Sequence, residues 1–384
     1  MSLRAVLARP LPAALGTAVL LLPAIIAMAV LSTAPSAPAP IDFTLFGPAG
    51  AHLLAGRWAS VFADAFIQAG PLELAPWGVL QLVGVTGLLG WTVAITGCAA
   101  LTAFLTALVL RPTLAPDLRS SVLAAGGTLI LVLTGPVVAA WHLGHPAETL
   151  VPLLWAVAGR LALRGRPTLA AAVVAASTGF EVWGLLGAPV VLLAADRRLV
   201  RGALGPVLAA LVVLAAMWLP FVVAGPFRMF SYVWDVSDRS LLHLLHPAAT
   251  SAPWSFRLVQ AVLAVGAGVA VALLLRGRAS GPWAVIVAVV AGRLVLDPVL
   301  AGYYWDPVLV AVTGALVLAV HRRALVPALV AAVCLMLGSD VGPPVPRAVA
   351  LLVVALAASV VLGWRRGRRG DVRPSGSPLT LSRP

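Results

Sequence analysis

Lysine is missing altogether: every one of the 26 Lys-plus-Arg cations is an arginine. Acids are scarce as well, 13 in 384 residues, and charged residues of both signs make up only 10% of the chain. Just two cysteines occur, Cys98 and Cys334, each inside an apolar stretch. That excludes a disulfide framework or a cysteine zinc site, and both read as small core residues. No nucleotide-binding loop, cofactor motif or soluble domain is readable. What fills the chain instead is hydrocarbon: 61% of residues are hydrophobic and the mean hydropathy is +1.04. One water-surrounded core cannot bury so much, so lipid must be the solvent for most of the chain. Backbone groups in lipid must satisfy one another, which predicts helices. The alternating ten-residue pattern of a membrane barrel is absent.

A net charge of +13 would suggest nucleic acid in a soluble protein. Here the arginines lie in short runs between apolar segments, the positive-inside pattern of a membrane protein, and no nucleic-acid partner is expected. The first apolar run, Pro12 to Leu31, is long enough for a retained anchor. Residues 41–90 form a first extracytoplasmic loop with interfacial helices. Spans are predicted at Trp91–Leu110, Val122–Trp141, Leu150–Leu163, Leu204–Ala224, Leu258–Leu275, Trp283–Tyr303, Pro307–Val320, Leu325–Leu337 and Ala348–Trp364. Between Arg166 and Arg197 both flanks are basic, so an even number of crossings separates them. Leu169–Gly179 and Trp183–Ala194 read as a short helical hairpin broken near Gly179-Phe180-Glu181.

The expected fold is therefore all-α, a polytopic transmembrane bundle of about 12 spans with both termini cytoplasmic. Residues 1–369 form a single transmembrane domain and 370–384 a disordered cytoplasmic tail. With this topology Arg111, Arg119, Arg160, Arg164, Arg166, Arg276 and Arg278 share the side of the N-terminus. Ten of the 13 acids fall toward the other face, among them Asp42, Glu73, Glu148, Glu181, Asp235, Asp297 and Asp306. His52, His142, His145, His243 and His246 join them. Arg293 lies about 18 Å up its helix, with Asp297 one turn higher, in reach at i,i+4. Each has a plainer reading: Arg293–Asp297 as a structural ion pair, Glu181 as a partner for free amides in the broken hairpin, Asp235 and Asp238 as solvated loop residues. An aromatic belt accounts for Trp58, Trp77, Trp141, Trp234, Trp254 and Trp305.

Three pieces go further: Ile41-Asp42-Phe43 just beyond the first span, the turn Gly144-His145-Pro146-Ala147-Glu148, and Leu294-Val295-Leu296-Asp297-Pro298 continuing into Gly302-Tyr303-Tyr304-Trp305-Asp306-Pro307. With Gln68-Ala69-Gly70-Pro71-Leu72, Arg164-Gly165-Arg166-Pro167 and Phe221–Phe230, they make the chain resemble the GT-C class of integral-membrane glycosyltransferases. It is most similar to the actinobacterial mannosyltransferase-like branch that uses polyprenyl-phosphate sugars. The resemblance is diffuse but runs over most of the chain. It implies a multi-pass cell-membrane enzyme with an extracytoplasmic site, a lipid-linked sugar donor and a glycolipid or glycan acceptor; no cofactor is expected, and the first loop carries no Asp-Asp or Glu-Asp pair that would mark a specific metal site. An acid of the first outer loop is the general base in that class, and Asp42 matches it; the plainer reading is a helix cap. Where many relatives carry a Lys-Pro-Trp-like break, this chain has Glu181-Val182-Trp183, which bears on substrate chemistry or on activity itself.

Inverting sugar transfer needs a base for the acceptor hydroxyl and a way to stabilise the departing lipid phosphate. Being an anion already, that phosphate needs cations rather than a general acid. Arg228, Arg239 and Arg293 are candidates for it, with His145, Glu181 and Asp297 completing the substrate-binding set. Two other functions compete, a transporter or flippase and an inactive relative acting as a membrane scaffold. The missing internal repeat and the outward placement of the ionisable groups weigh against a transporter.

Overall fold

The computed structural model describes residues 10–32, 41–110, 118–133, 144–194, 202–299 and 301–322. The expected spans Leu325–Leu337 and Ala348–Trp364, the tail from Gly370, and His142, Trp141, Asp340 and Cys334 lie outside the described residues. Within them the chain is mostly helical. Helices α1 (Pro10–Ser32), α2 (Ile41–Leu54), α3 (Pro71–Leu82), α4 (Gly87–Leu110), α5 (Leu118–Leu133), α6 (Ala147–Leu163) and α7 (Pro167–Ser177) come first. A 3-10 helix over Val182–Leu193 follows, then α8 (Leu204–Ala224), α9 (Leu241–Leu245), α10 (Trp254–Leu274), α11 (Gly281–Val295) and α12 (Asp306–His321). The sole sheet among the described residues is a small ribbon, β1 (Trp234–Asp235) against β2 (Ser251–Ala252).

Among the described residues, four segments are long and apolar enough to cross a membrane: α4, α8, α10, and Gly302–His321, which contains α12. They occupy different depths of the molecule. Along α8 only Pro206 and Phe221 are buried, so it lies at the periphery, whereas α12 is nearly enclosed. The helix expected to run to Tyr303 stops at Val295. Pro298 cannot continue it, and the Asp297 carboxylate turns the chain by accepting from the Val299 N–H at 3.0 Å. The first loop is more ordered than its amphipathic fragments suggested. Helices α2 and α3 pack face to face, and a Cβ on Gly50 or Gly78 would fall inside the other helix's backbone. Small residues permit such close approach between helices.

The broken hairpin is present, but its second arm is wound as a 3-10 helix. The sequence explains the winding. Gly184, Gly187, Val190 and Leu193 are all buried and recur every third residue, which is one face of a three-residue turn. Gly187 leaves room for the Trp155 indole, whose Nε1–H donates to the Gly184 carbonyl at 2.7 Å. At about 2.0 Å per residue, twelve residues span ~24 Å instead of the ~18 Å of an α-helix. The main core forms around this arm from α6, α10, α11 and α12. A second core joins α1 to α4 with Phe62 and Phe221, and it takes in Trp77, which stacks on Trp91 at 6.0 Å. Trp77 is thus a core residue, not a member of an interfacial belt.

Two arginines cap carbonyls at helix C-termini. Arg160 donates to the Val109 carbonyl at 2.6 Å and Arg276 to the Leu192 carbonyl at 3.1 Å. The first bond ties the C-terminal end of α6 to that of α4, and the second ties the chain just after α10 to the C-terminal end of the 3-10 arm; cations there also meet the helix dipoles favourably. The starts of α6 and α12 and the end of α11 point the other way, toward Glu148, Asp306 and Arg293.

Candidate active site

Three separate turns deliver the first cluster. Asp42 sits in the first turn of α2. His145 precedes α6 in a tight turn that Gly144 opens at φ +86°, a left-handed conformation suited to glycine. Glu181 occupies the break between α7 and the 3-10 arm. That break is welded to the start of α3 and the residues just before it: the Leu72 N–H donates to the Gly179 carbonyl at 2.7 Å, and Ala69 pairs with Glu181 as an isolated β-bridge. A Cβ on Gly70 would collide with the Gly179 carbonyl, so glycine is needed there.

The imidazole of His145 lies between two carboxylates. Its Nε2 is 2.6 Å from Asp42 Oδ2 and its Nδ1 is 3.9 Å from Glu181 Oε1. Tyr303 stacks on the ring at 4.1 Å and 13°, fixing its plane. The second Glu181 oxygen accepts from the Trp183 indole N–H. Burial by itself would lower the His145 pKa, but the bonds to Asp42 and Glu181 outweigh it and raise the value to about 10. His145 is therefore an imidazolium at neutral pH. Nearby, Glu73 has both carboxyl oxygens buried with no hydrogen-bond partner among the described residues. Burial, followed by the negative charge of Glu181, pushes its carboxyl well above the usual range.

A second cluster runs as a ladder of alternating charge. Glu148 meets Arg293 through two contacts of 3.4 Å, Arg293 meets Asp297 at 3.7 Å, and Asp297 meets Arg257 at 2.8 Å. The Arg293 guanidinium is sandwiched by Trp183 at 4.5 Å and Tyr304 at 4.8 Å, while Arg257 lies over Trp234 at 4.6 Å. Gln260 bridges the ladder, donating to the Arg293 carbonyl at 2.6 Å and to Asp297 at 3.1 Å. The expected i,i+4 pair is present, as the middle rung of three. Sequence reasoning missed Arg257 and Gln260. Their spacing of three on α10 was a weak signal, and nothing local tied them to Asp297.

Both clusters face one cleft of about 870 Å³. Asp42, His145, Glu181, Arg257 and Arg293 all line it, and so does Asp235 of the small ribbon. Its walls are otherwise mainly aromatic and aliphatic. Trp234 and Trp254, expected in an interfacial belt, belong to this wall. Asp297 is buried behind it. The structure does not bring Arg228 or Arg239 into the cleft: both side chains are exposed and neither lines it. Among the described residues no group of three or more His, Cys, Asp or Glu is disposed to hold a metal ion. Chemically, the cleft offers a carboxylate held in place by a charged imidazole, aromatic faces suited to flat apolar surfaces, and two arginines partly spent on internal partners. No family model and no curated protein matches the chain.

Proposed function

We propose that the protein is an inverting membrane glycosyltransferase that moves a sugar, mannose in the first instance, from a polyprenyl-phosphate donor to an extracytoplasmic glycolipid or glycan. The observation that carries this reading is the meeting of Asp42, His145 and Glu181, from three distant parts of the chain, at one edge of an aromatic cleft that also holds Arg257 and Arg293. Asp42 takes the acceptor hydroxyl proton, the acceptor oxygen bonds to the anomeric carbon, and the bond to the lipid phosphate breaks with its electron pair going to the phosphate. His145 occupies one Asp42 oxygen and sets the orientation of the carboxylate. Sugars present C–H faces that pack on aromatic rings, and the cleft supplies several. Glu181, which departs from the cation of similar enzymes, serves here as the second carboxylate on His145. In this reading the chain crosses the membrane about 12 times, both termini lie in the cytoplasm and the cleft opens outside.

The experiment uses membranes containing the full chain, given radiolabelled polyprenyl-phosphate mannose and cell-envelope acceptors, with Asp42→Asn in parallel. Transfer by the wild type that falls by ~10²–10⁴ in the variant is expected. Transfer that persists in Asp42→Asn removes Asp42 from its role. An inactive wild type, tested with several polyprenyl-phosphate sugars, overturns the reading in favour of a scaffold or transporter.

A further inference from the structure

We propose that the end of α10 far from the cleft seats an anionic phospholipid of the surrounding bilayer, with its phosphate on Arg276 and an acyl chain along the exposed face of the helix. The inference concerns a bound structural lipid and stands apart from the transferase reading.

Packing brings the cations together. Leu193, the last residue of the 3-10 arm, is the meeting point. Its carbonyl accepts from the Gly277 N–H at 3.0 Å. A Cβ on Gly159 of α6 would lie 3.5 Å from the Leu193 side chain and 2.9 Å from Pro282 at the start of α11. Arg160 follows Gly159 directly and Arg276 precedes Gly277, so both belong to this one edge. Both are half-buried, and each is pinned through one nitrogen to a main-chain carbonyl, Arg160 to Val109 and Arg276 to Leu192. Nη1 and Nη2 of Arg276 have no hydrogen-bond partner among the described residues. Arg164, one turn beyond Arg160, is exposed. No Asp or Glu occurs in residues 149–180, 182–194 or 254–296, and the sequence after residue 194 adds Asp196 together with Arg197, Arg198 and Arg201. At the cleft, by contrast, Arg257 and Arg293 each meet a carboxylate. A helix C-terminus offsets only about half a unit of charge. The remainder calls for an anion from outside the chain, and the free edge of a guanidinium fits phosphate oxygens.

The surface beside Arg276 identifies the source of that anion. Leu274, two residues ahead of it, is 61% exposed. Every fourth residue back along α10 is exposed as well, Ala270, Gly266, Val262 and Leu258, while Gln260, Ala264 and Gly268 are buried on the other face. Residues four apart share one face of a helix, so these make a continuous apolar strip. From Leu258 to Leu274 it runs ~24 Å, longer than the ~15 Å of hydrocarbon in one leaflet. An acyl chain attached to a phosphate at Arg276 therefore has a matching surface to lie on. A soluble anion would reach the arginine and leave the strip uncovered. A lipid with a neutral or zwitterionic headgroup would cover the strip and bring no net negative charge to the arginines.

The test uses the full chain in phosphatidylcholine nanodiscs containing a minority of phosphatidylglycerol that carries a diazirine in one acyl chain. Saturable cross-linking is expected within residues 258–276. Unlabelled phosphatidylglycerol should displace it. Phosphatidylcholine, diacylglycerol and inorganic phosphate should each compete at least about five-fold less well, the preference that one surface arginine gives an anionic headgroup. Arg276→Gln should weaken labelling by about the same factor, and Arg276→Lys should keep most of it. Displacement by phosphatidylcholine or diacylglycerol as good as by phosphatidylglycerol makes the strip an ordinary lipid boundary. Displacement by inorganic phosphate makes the arginine edge a free-anion site, and labelling outside residues 258–276 places the lipid elsewhere. Each of these overturns the proposal, as does labelling indifferent to Arg276→Gln. Displacement and cross-link position are read on the wild type, so they decide even if the variants fold poorly.

Discussion

Arg293→Met removes the one cation that contacts Glu148 among the described residues, and Glu148 is completely buried. The loss is asymmetric. Asp297 keeps Arg257 at 2.8 Å and Gln260 at 3.1 Å, so nearly all of the damage falls on the Glu148 carboxylate. Breaking one side of a buried ion pair costs about 3–5 kcal/mol, because a charge is left without compensation in a poorly polarisable site. Two cation–π contacts go with it, at ~0.5–2 kcal/mol each, partly replaced by methionine packing against the same rings. At roughly 2 °C per kcal/mol, the apparent Tm should fall by ~6–10 °C. The informative partner is Glu148→Gln in the same molecule. With the stranded carboxylate neutralised, most of the loss should return, and the two substitutions should couple by ~2 kcal/mol or more. Thermal unfolding in detergent, followed by tryptophan fluorescence on wild type, both single variants and the double, completes the cycle. A single variant within ~1 kcal/mol of wild type, or a double no more stable than Arg293→Met, would refute the ladder as a buried, interdependent unit.

Three further outcomes are expected. Because the folded-state pKa of His145 is raised from 6.5 to about 10, its ion pairs contribute their full stability below about pH 6.5 and lose it as the pH climbs through 10. The Tm difference between wild type and His145→Gln should shrink across that window, and a constant difference would contradict the pairing with Asp42 and Glu181. Gly187→Ala drives a methyl into the Trp155 indole and should cost ~1–3 kcal/mol with altered tryptophan emission, while Gly97→Ala, whose methyl meets nothing, should stabilise α4 by up to ~1 kcal/mol; equal effects would remove the case for a glycine-dependent 3-10 arm. For sidedness, Asp64→Cys and Arg166→Cys, both exposed, are introduced with Cys98 and Cys334 replaced by alanine. An impermeant thiol reagent added to intact cells should label position 64 alone, and labelling of position 166 would reverse the orientation.

Much of the architecture could be read directly from the chain, and the misses have identifiable causes. The span predicted at Leu204–Ala224 coincides with α8, because a long apolar run between polar flanks admits few alternatives. The hairpin broken at Gly179-Phe180-Glu181 was readable from its basic flanks and its length. Its 3-10 winding was not, since the three-residue repeat of Gly184 and Gly187 acquires meaning only once Trp155 packs against it. Trp77 looked interfacial for the complementary reason: an indole suits a membrane boundary, and only packing with Phe43 and Trp91 makes it core. At the site, Asp42, His145 and Glu181 each stood out as polar groups in apolar surroundings. Arg228 and Arg239 stood out equally and ended up exposed, away from the cleft.

Composition alone determined the solvent. So many apolar residues with so few charges leave hydrocarbon as the main environment, and hydrocarbon leaves the helix as the way to satisfy the backbone. Which acid met which cation was decided only by the folded chain. Asp42 and His145 are 103 positions apart, and Glu148 and Arg293 are 145 apart. Their pairing depends on how α2, α6 and α11 dock. Docking is set by glycine contacts and ring packing summed over many residues, a long-range quantity that no local pattern contains.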